Sequence, residues 1–182
     1  MRTISQQTVR LTTAEAVTLG LLAEHRERSG YDLLKRAEGS VGHIWSPAKS
    51  QLYATLPRLV DAGLATRRDV RQERRPDKQV YRLTRAGRDA LRTWLEHPEP
   101  RSWDELLLKM FFARFTSPAA LLPQLETHRR RQEADLEEYL AIERAIAGKP
   151  AKRHGYLTLH YGLALMQARL AWIDDAMAEL SR

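Results

Sequence analysis

Apolar residues recur at helical spacing along most of this chain, and one stretch near residues 64–83 departs from that rhythm. The clearest stripe is Leu52, Leu56, Leu59 and Val60, at i, i+4, i+7 and i+8, which predicts a helix over residues 46–62 with one buried side. At about 100° per residue, Pro47, Ser50, Ala54 and Arg58 point the opposite way, with Gln51 and Tyr53 beside them. That outward face is neutral to basic and small in its middle, so it can lie flush in a groove. Gly63 follows, where a left-handed residue ends a helix at least cost. Residues 64–70 then read as a strand and 79–83 as its partner, joined by a turn on Pro76 and Asp77 with basic residues on both sides.

Helices flank this segment. Thr12 and Glu15 have the spacing of a capping box and open a helix through residue 24 that buries Ala14, Val17, Leu21 and Leu22. Residues 25–29 read as a charged connector. A second helix is expected over 31–40, with Tyr31, Leu33, Leu34 and Ala37 available to the core. Ile44 and Trp45 read as an anchor for the entry to the groove-sized helix, a better reading for Trp45 than a ligand platform. Pro57 lies inside that helix, where it removes a hydrogen bond at a cost of ~3 kcal/mol in a straight helix, so either the helix bends or its first turns wind loosely. Thr84 caps a helix over 85–97 with Ala90, Leu91, Trp94 and Leu95 inward. Pro98 and Pro100 form the one clear linker. Beyond it, residues 103–115 are apolar nearly all round and expected to be buried. Residues 118–147 make a long charged helix with Arg129–Glu133 and Arg131–Asp135 pairs at i,i+4, and residues 154–180 a last one.

The fold class predicted is mainly α. Residues 1–97 form a winged helix-turn-helix with a two-stranded wing, and residues 98–182 a C-terminal antiparallel helical dimerisation domain. Along the last helix Leu159, Leu163, Met166, Leu170, Ile173, Met177 and Leu180 recur at spacings of 4 and 3, an a/d seam suited to pairing with a second copy. A second stripe, Tyr161, Leu165, Ala168, Trp172 and Ala176, lies a quarter turn or more away. One stripe packs on the chain's own helices and leaves the other for a partner. The seam is the expected dimer interface.

Charge sharpens the picture. The net charge of +7 sits wholly in residues 1–97, with 18 Lys/Arg against 11 Asp/Glu; residues 98–182 carry 12 of each. Residues 67–88 hold nine basic residues and three acidic ones. Such asymmetry fits a polyanion partner, although a basic half can also be solubility charge. Sequence-specific binding of double-stranded DNA follows as the leading expectation. Ser50, Gln51, Tyr53 and Ala54 would face bases, Ser46, Lys49 and Arg58 would lie near the helix entry and phosphates, and Arg74, Arg75 and Lys78 would serve the wing.

Resemblance adds to this. The runs Ala48-Lys49-Ser50-Gln51-Leu52-Tyr53 and Arg58-Leu59-Val60-Asp61-Ala62-Gly63-Leu64 resemble the PadR family of bacterial transcriptional regulators. So do the residues from Arg75 to Leu91, and Ser29-Gly30-Tyr31-Asp32 is similar to the family's second helix. Residues 105–112 and His160-Tyr161-Gly162-Leu163 resemble the C-terminal domain of its longer, Vir-like branch. The resemblance implies a dimeric regulator, read as a repressor, on a pseudo-palindromic operator, with the recognition helix in the major groove. Arg74 stands where many members carry glycine. Some members bind phenolic acids or drugs, so Trp94, Trp103 and Trp172 are candidates for an effector pocket taking a small apolar or phenolic compound, against core packing as the blander role of each.

Other functions find little support. Cysteine is absent, so thiol catalysis, disulfides and cysteine-ligated zinc are excluded. The six histidines (25, 43, 97, 128, 154 and 160) show no metal-binding spacing. Glu137 with Glu138, and Asp174 with Asp175, are neighbours on helices and diverge rather than share a proton. No metal, cofactor or catalytic residue is expected. A membrane partner is not expected either, and the chain is placed in the cytoplasm at the nucleoid. The alternative is a winged helix that binds protein or RNA without operator specificity, although the aromatics of an RNA stacking platform are missing.

Overall fold

The computed structural model describes residues 10–24, 26–45, 49–71, 78–147 and 153–182. Helix α1 (Thr13–Ala23) starts as its spacing predicts: the Thr12 hydroxyl accepts from the Glu15 amide, and the Glu15 carboxylate reaches back to the Thr12 amide at 2.8 Å. Nearly every residue of α1 is buried, so it is the element on which the first part of the chain packs. Strand β1 (Arg28–Ser29) falls in the expected connector. Helix α2 (Gly30–Glu38) follows, opened by a second capping box in which Ser29 and Asp32 exchange hydrogen bonds.

A short 3-10 turn (Val41–His43) leads toward α3 (Lys49–Asp61), and Ile44 and Trp45 are half-buried against the core as expected of an anchor. Helix α3 is continuous across Pro57, which sits on the exposed side where its ring meets solvent instead of a packed neighbour. The helix ends in a Schellman motif: the Leu64 amide donates to the Leu59 carbonyl, the Gly63 amide donates to that of Val60, and Gly63 takes φ +70°. Strands β2 (Ala65–Val70) and β3 (Lys78–Leu83) pair antiparallel, from Ala65 opposite Leu83 to Val70 opposite Lys78. The sheet has three strands, not the two expected, in the order β1-β3-β2. Arg28 and Ser29 pair with Tyr81 and Val80, an addition of two residues that carries no alternation of its own.

Thr84 caps α4 (Arg85–Glu96), accepting from the Gly87 amide and donating to the Gly63 carbonyl. Gly87 is required here, because a Cβ would lie 2.0 Å from the Leu64 carbonyl oxygen. The end of α3, the start of β2 and the start of α4 are thus fastened at one point.

Helix α5 (Trp103–Phe111) is followed by a 3-10 turn (Ala113–Phe115). Leu108 and Phe112 enter the same core as α1, α3 and α4, with the Phe112 ring against Gly20. The chain forms two compact units, one ending at Ser117 and one spanning Pro118–Arg182. Helix α5 follows the expected boundary at residues 97/98 and packs Leu108 and Phe112 into the winged core. Lys109, unremarked in an apolar segment, is fully buried; its Nζ donates to the His97 carbonyl at 2.5 Å and lies 5.5 Å from the Trp94 ring.

The second unit pairs α6 (Pro118–Ile146) with α7 (Arg153–Leu180). They run antiparallel, with Arg129 bound to Asp174 at 2.8 Å, Glu143 to His160 at 2.9 Å, and Gly162 against Tyr139. The Arg129–Glu133 pair forms at 3.3 Å, while Asp135 accepts from Gln132 rather than Arg131. Leu159, Leu163 and Ile173 of the seam are buried within the single chain. That part of the expected dimer interface is already occupied, and Met166, Leu170, Met177 and Leu180 keep partial exposure.

Candidate nucleic-acid interface

Helix α3 divides cleanly. Leu52, Thr55, Leu56 and Leu59 are buried, and the Thr55 hydroxyl spends its hydrogen on the Gln51 carbonyl. Lys49, Ser50, Gln51, Tyr53, Ala54 and Arg58 are all exposed, Tyr53 at 41%. Ser46, Arg74 and Arg75 lie outside the described residues. Lys78 is the first residue of β3 and ends the ladder opposite Val70.

Basic residues around this face are held by carboxylates. Glu15 divides its two oxygens between tasks: Oε2 closes the α1 capping box, and Oε1 meets the Arg58 guanidinium at 2.9 Å. Asp32 uses one oxygen for both tasks in α2: its Oδ2 accepts from the Ser29 amide and hydroxyl and lies 3.9 Å from the Lys78 ammonium. The Ser29 hydroxyl, the Ser29 amide and the charges of Lys78 and Arg28 hold its carboxyl below the usual carboxylate range despite partial burial. Glu27 binds Arg68 of β2 at 2.8 Å. Arg58 was expected near phosphates; in the free chain its guanidinium rests on α1.

Tyr31 corrects another expectation. It is 58% exposed, with the Lys35 ammonium 5.7 Å from its ring centroid. Two residues before buried Leu33 means roughly 200° around the helix, so the periodicity already pointed Tyr31 and Lys35 outward together. Tyr31, Tyr53, Lys78 and Gln79 border one cleft, which joins the start of α2, the outer side of α3 and the base of the wing. Beneath it Tyr81 is buried, which pushes its phenol up, and its hydroxyl meets Gln79 at 3.1 Å. The arrangement offers small and polar side chains on the outer side of α3, with cations and phenols around them.

Of the three tryptophans, Trp94 borders a cleft with Arg10, Leu11, His97, Arg101 and Glu105. Trp103 is the first residue of α5, and Trp172 lies on α7. Among the described residues no group of His, Asp or Glu could hold a metal ion, and no helix is long and apolar enough to cross a membrane.

These features define a winged helix-turn-helix with a C-terminal helical extension. Residues 18–93 match the PadR-like transcriptional regulator family, and residues 104–181 match the family of the virulence activator alpha C-terminal domain. The chain is 28% identical over 169 residues to a probable transcriptional regulator of Mycobacterium tuberculosis, Rv1176c, covering 84% of this chain and 89% of that protein. It is 28% identical over 174 residues to the negative transcriptional regulator PadR of Bacillus subtilis, covering 90% and 95%. Among solved structures, Bacillus subtilis PadR in complex with operator DNA aligns with a TM-score of 0.47 and 26% identity, over 93% of this chain and 99% of that one. The chain thus carries a PadR-like transcriptional regulator domain followed by a virulence-activator alpha C-terminal domain, and the PadR-like family is one of transcriptional regulators rather than enzymes.

Proposed function

We propose that the chain is a sequence-specific regulator that binds duplex DNA as a homodimer and acts as a repressor from the cytoplasm. The observation that carries this reading is α3 itself: one side fixed in the core by four buried residues, the other exposed, small and polar, with cations at its edges. In a major groove Ser50, Gln51, Tyr53 and Ala54 read bases while Lys49 and Arg58 serve phosphates, the Arg58 guanidinium leaving Glu15 to do so. Arg74, Arg75 and Lys78 engage the backbone beside the groove, and Ser46 lies at the helix entry. Tyr31 and Lys35 join them from α2, whose start borders the same cleft.

Residues 1–97 carry the DNA reading and 98–182 the pairing. A single winged module reads one half-site, and a two-fold axis sets two of them ~34–36 Å apart on successive major-groove faces. The pairing surface we propose is the outer stripe of α7, with Tyr161 71% exposed and Leu165, Ala168, Trp172 and Ala176 along it, together with the still accessible Met166, Leu170, Met177 and Leu180. Support for an effector is the cleft beside Trp94, where a small apolar or phenolic compound would alter the joint between α4 and α5.

Genome-wide mapping of bound sites returns the operator, and titration of point variants on it tests the reading. Gln51→Ala or Tyr53→Ala is expected to cost more on the operator than on random duplex, because base contacts specify sequence. Arg75→Ala is expected to weaken all duplexes alike and to lower the salt slope by about one ion. Equal affinity for single-stranded RNA, or no preference among duplexes, would favour a winged helix that binds protein or RNA without operator specificity.

A further inference from the structure

Helix α6 shows how this chain neutralises surface arginines: Arg129 meets Glu133 and Asp174, and Arg130 meets Glu126. Helix α4 does otherwise. Arg85, Arg88 and Arg92 lie at i, i+3 and i+7 on its exposed side, and none makes an ion pair with a described residue. Like charges at such spacing repel. Arg88 joins two clefts into one surface: with Arg26 and Arg82 it borders one, and with Arg92 and Arg114 the next. Of the nearby carboxylates, Glu24 is only 3% exposed and binds both Arg36, at 2.7 Å, and Arg114, while Asp89, exposed on α4 itself, makes no ion pair with a described residue. Glu96 accepts a hydrogen bond from the Thr116 hydroxyl.

This surface is not the α3 face. Tyr81 points into the core side of the sheet toward Tyr53, and Arg82, the next residue of the strand, points to the other side. We propose that the Arg26–Arg82–Arg88–Arg92 surface is a second nucleic-acid contact, which takes the phosphate backbone of a duplex segment other than the one read by α3. The proposal rests on the DNA-binding reading above. The cations are all arginines, whose planar forks match the oxygens of phosphate and carboxylate alike. Two observations favour phosphate over an acidic protein. Apolar surface is scarce, because Phe115 is half-buried with the Arg114 guanidinium 4.9 Å from its ring centroid, whereas a protein interface has an apolar centre. The seven steps from Arg85 to Arg92 rise about 10 Å along the helix, which is the axial length of about three phosphates on one strand.

The test is the salt dependence of binding by the full chain to a mixed-sequence duplex of about 60 base pairs, followed by fluorescence anisotropy. Arg82→Gln/Arg88→Gln/Arg92→Gln is expected to lose tenfold or more in affinity at low salt and to flatten the log–log slope by about 2.7, which is 0.9 for each phosphate contact. Arg129→Gln/Arg130→Gln/Arg131→Gln removes the same charge from α6 and is expected to leave the slope unchanged. Lys49→Gln/Arg58→Gln reports on the α3 face. Arg82 of β3 and Arg88 and Arg92 of α4, changed together in what is called the α4 variant, are all exposed, and thermal melts establish that each variant is folded. A wild-type slope in the α4 variant, with a fall in the α3 variant, overturns the second contact and leaves the DNA reading intact. An equal fall in the α6 control overturns it too, by reducing the effect to net charge. Wild-type slopes in both the α3 and α4 variants overturn both readings. An unchanged DNA slope with lost binding to poly-glutamate would assign the surface to acidic protein.

Discussion

The winged unit and the C-terminal hairpin bury themselves very differently. In the first, side chains from α1, α2, α3, β3, α4 and α5 converge on one continuous core, with Leu19, Leu21, Leu56, Leu91, Leu95 and Phe112 inaccessible to solvent. In the second, Leu159, Leu163 and Ile173 are the buried residues of α7 among those described, and Tyr161 and Leu157 stand 71% and 66% exposed. Much of α7 is therefore left accessible, with Met166, Leu170, Met177 and Leu180 half-buried. The winged unit closes its own core, and on the reading proposed above the hairpin gains its further burial by pairing with a second copy. Stability and assembly should therefore separate by mutation.

The largest effect is expected at Gly87. Its Cβ would meet the Leu64 carbonyl oxygen at 2.0 Å, and neither backbone can yield without disturbing the Thr84 cap or the α3–β2 junction. Gly87→Ala should cost about 3 kcal/mol or more, at the upper end for overpacking, read as a lower urea midpoint. An unchanged midpoint would mean the junction is looser than described. Gly155 is a useful contrast, since a Cβ there meets nothing. Gly155→Ala should be neutral or stabilise α7 by a few tenths to ~1 kcal/mol through helix propensity.

Next comes the hairpin. Trp172→Glu with Leu165→Glu charges the outer stripe and should give monomers in sedimentation, while the winged unit keeps its fold and operator affinity falls by orders of magnitude. Ile173→Lys places a charge at a fully buried position and should unfold the hairpin instead. A folded dimer in the first variant would move the pairing surface elsewhere on the chain.

The same contrast explains what could be read from sequence. Patterns that one helix satisfies locally were legible: the Thr12–Glu15 box, the buried stripe of α3 and the Gly63 stop all appear where spacing put them. Features that exist only through a distant partner were not. Two residues of β1 become a strand because Tyr81 and Val80 lie alongside. Helix α5 is apolar enough to join either neighbour, and nothing local assigns it to the winged core. Arg58 looked free because its partner, Glu15, is 43 positions away in the chain and already explained by the cap it makes. The two stripes of α7 were visible, but periodicity ranks neither, and the regular seam proved to be the one partly used within the chain.

A moderate effect is expected from pH. Burial pushes the Lys109 ammonium down from 10.5 to about 8, with Glu105 opposing the shift. Between the folded value and the unfolded one the unfolded chain holds more protons, so stability should rise with pH from about 8 to 10.5. Below pH 8 both states are protonated, and the cost of the buried charge is fully present. Lys109→Met with Glu105→Gln should abolish that slope in urea titrations at several pH values. A wild-type curve that is flat or falling across the window would show the ammonium to be better solvated than its burial implies.

The smallest effect sharpens the comparison at the α3 face, where folding and binding share one carboxylate. Glu15→Gln keeps an oxygen for the Thr12 cap but loses the charge that holds Arg58. The pair is mostly solvent-facing on the arginine side, with Arg58 65% exposed, so its loss should cost well under ~1 kcal/mol of stability. DNA affinity should move the other way. In the wild type a phosphate competes with Glu15 for the guanidinium, and Glu15 adds a negative charge near the bound backbone; the variant removes both. A rise of a few-fold at low salt is expected, fading as salt screens the charges. Arg58→Gln in the same background should cancel the gain, since no cation is then left to release. If Glu15→Gln weakened binding instead, the ion pair would be orienting α3 for its groove, and Arg58 would act through α1 rather than on DNA.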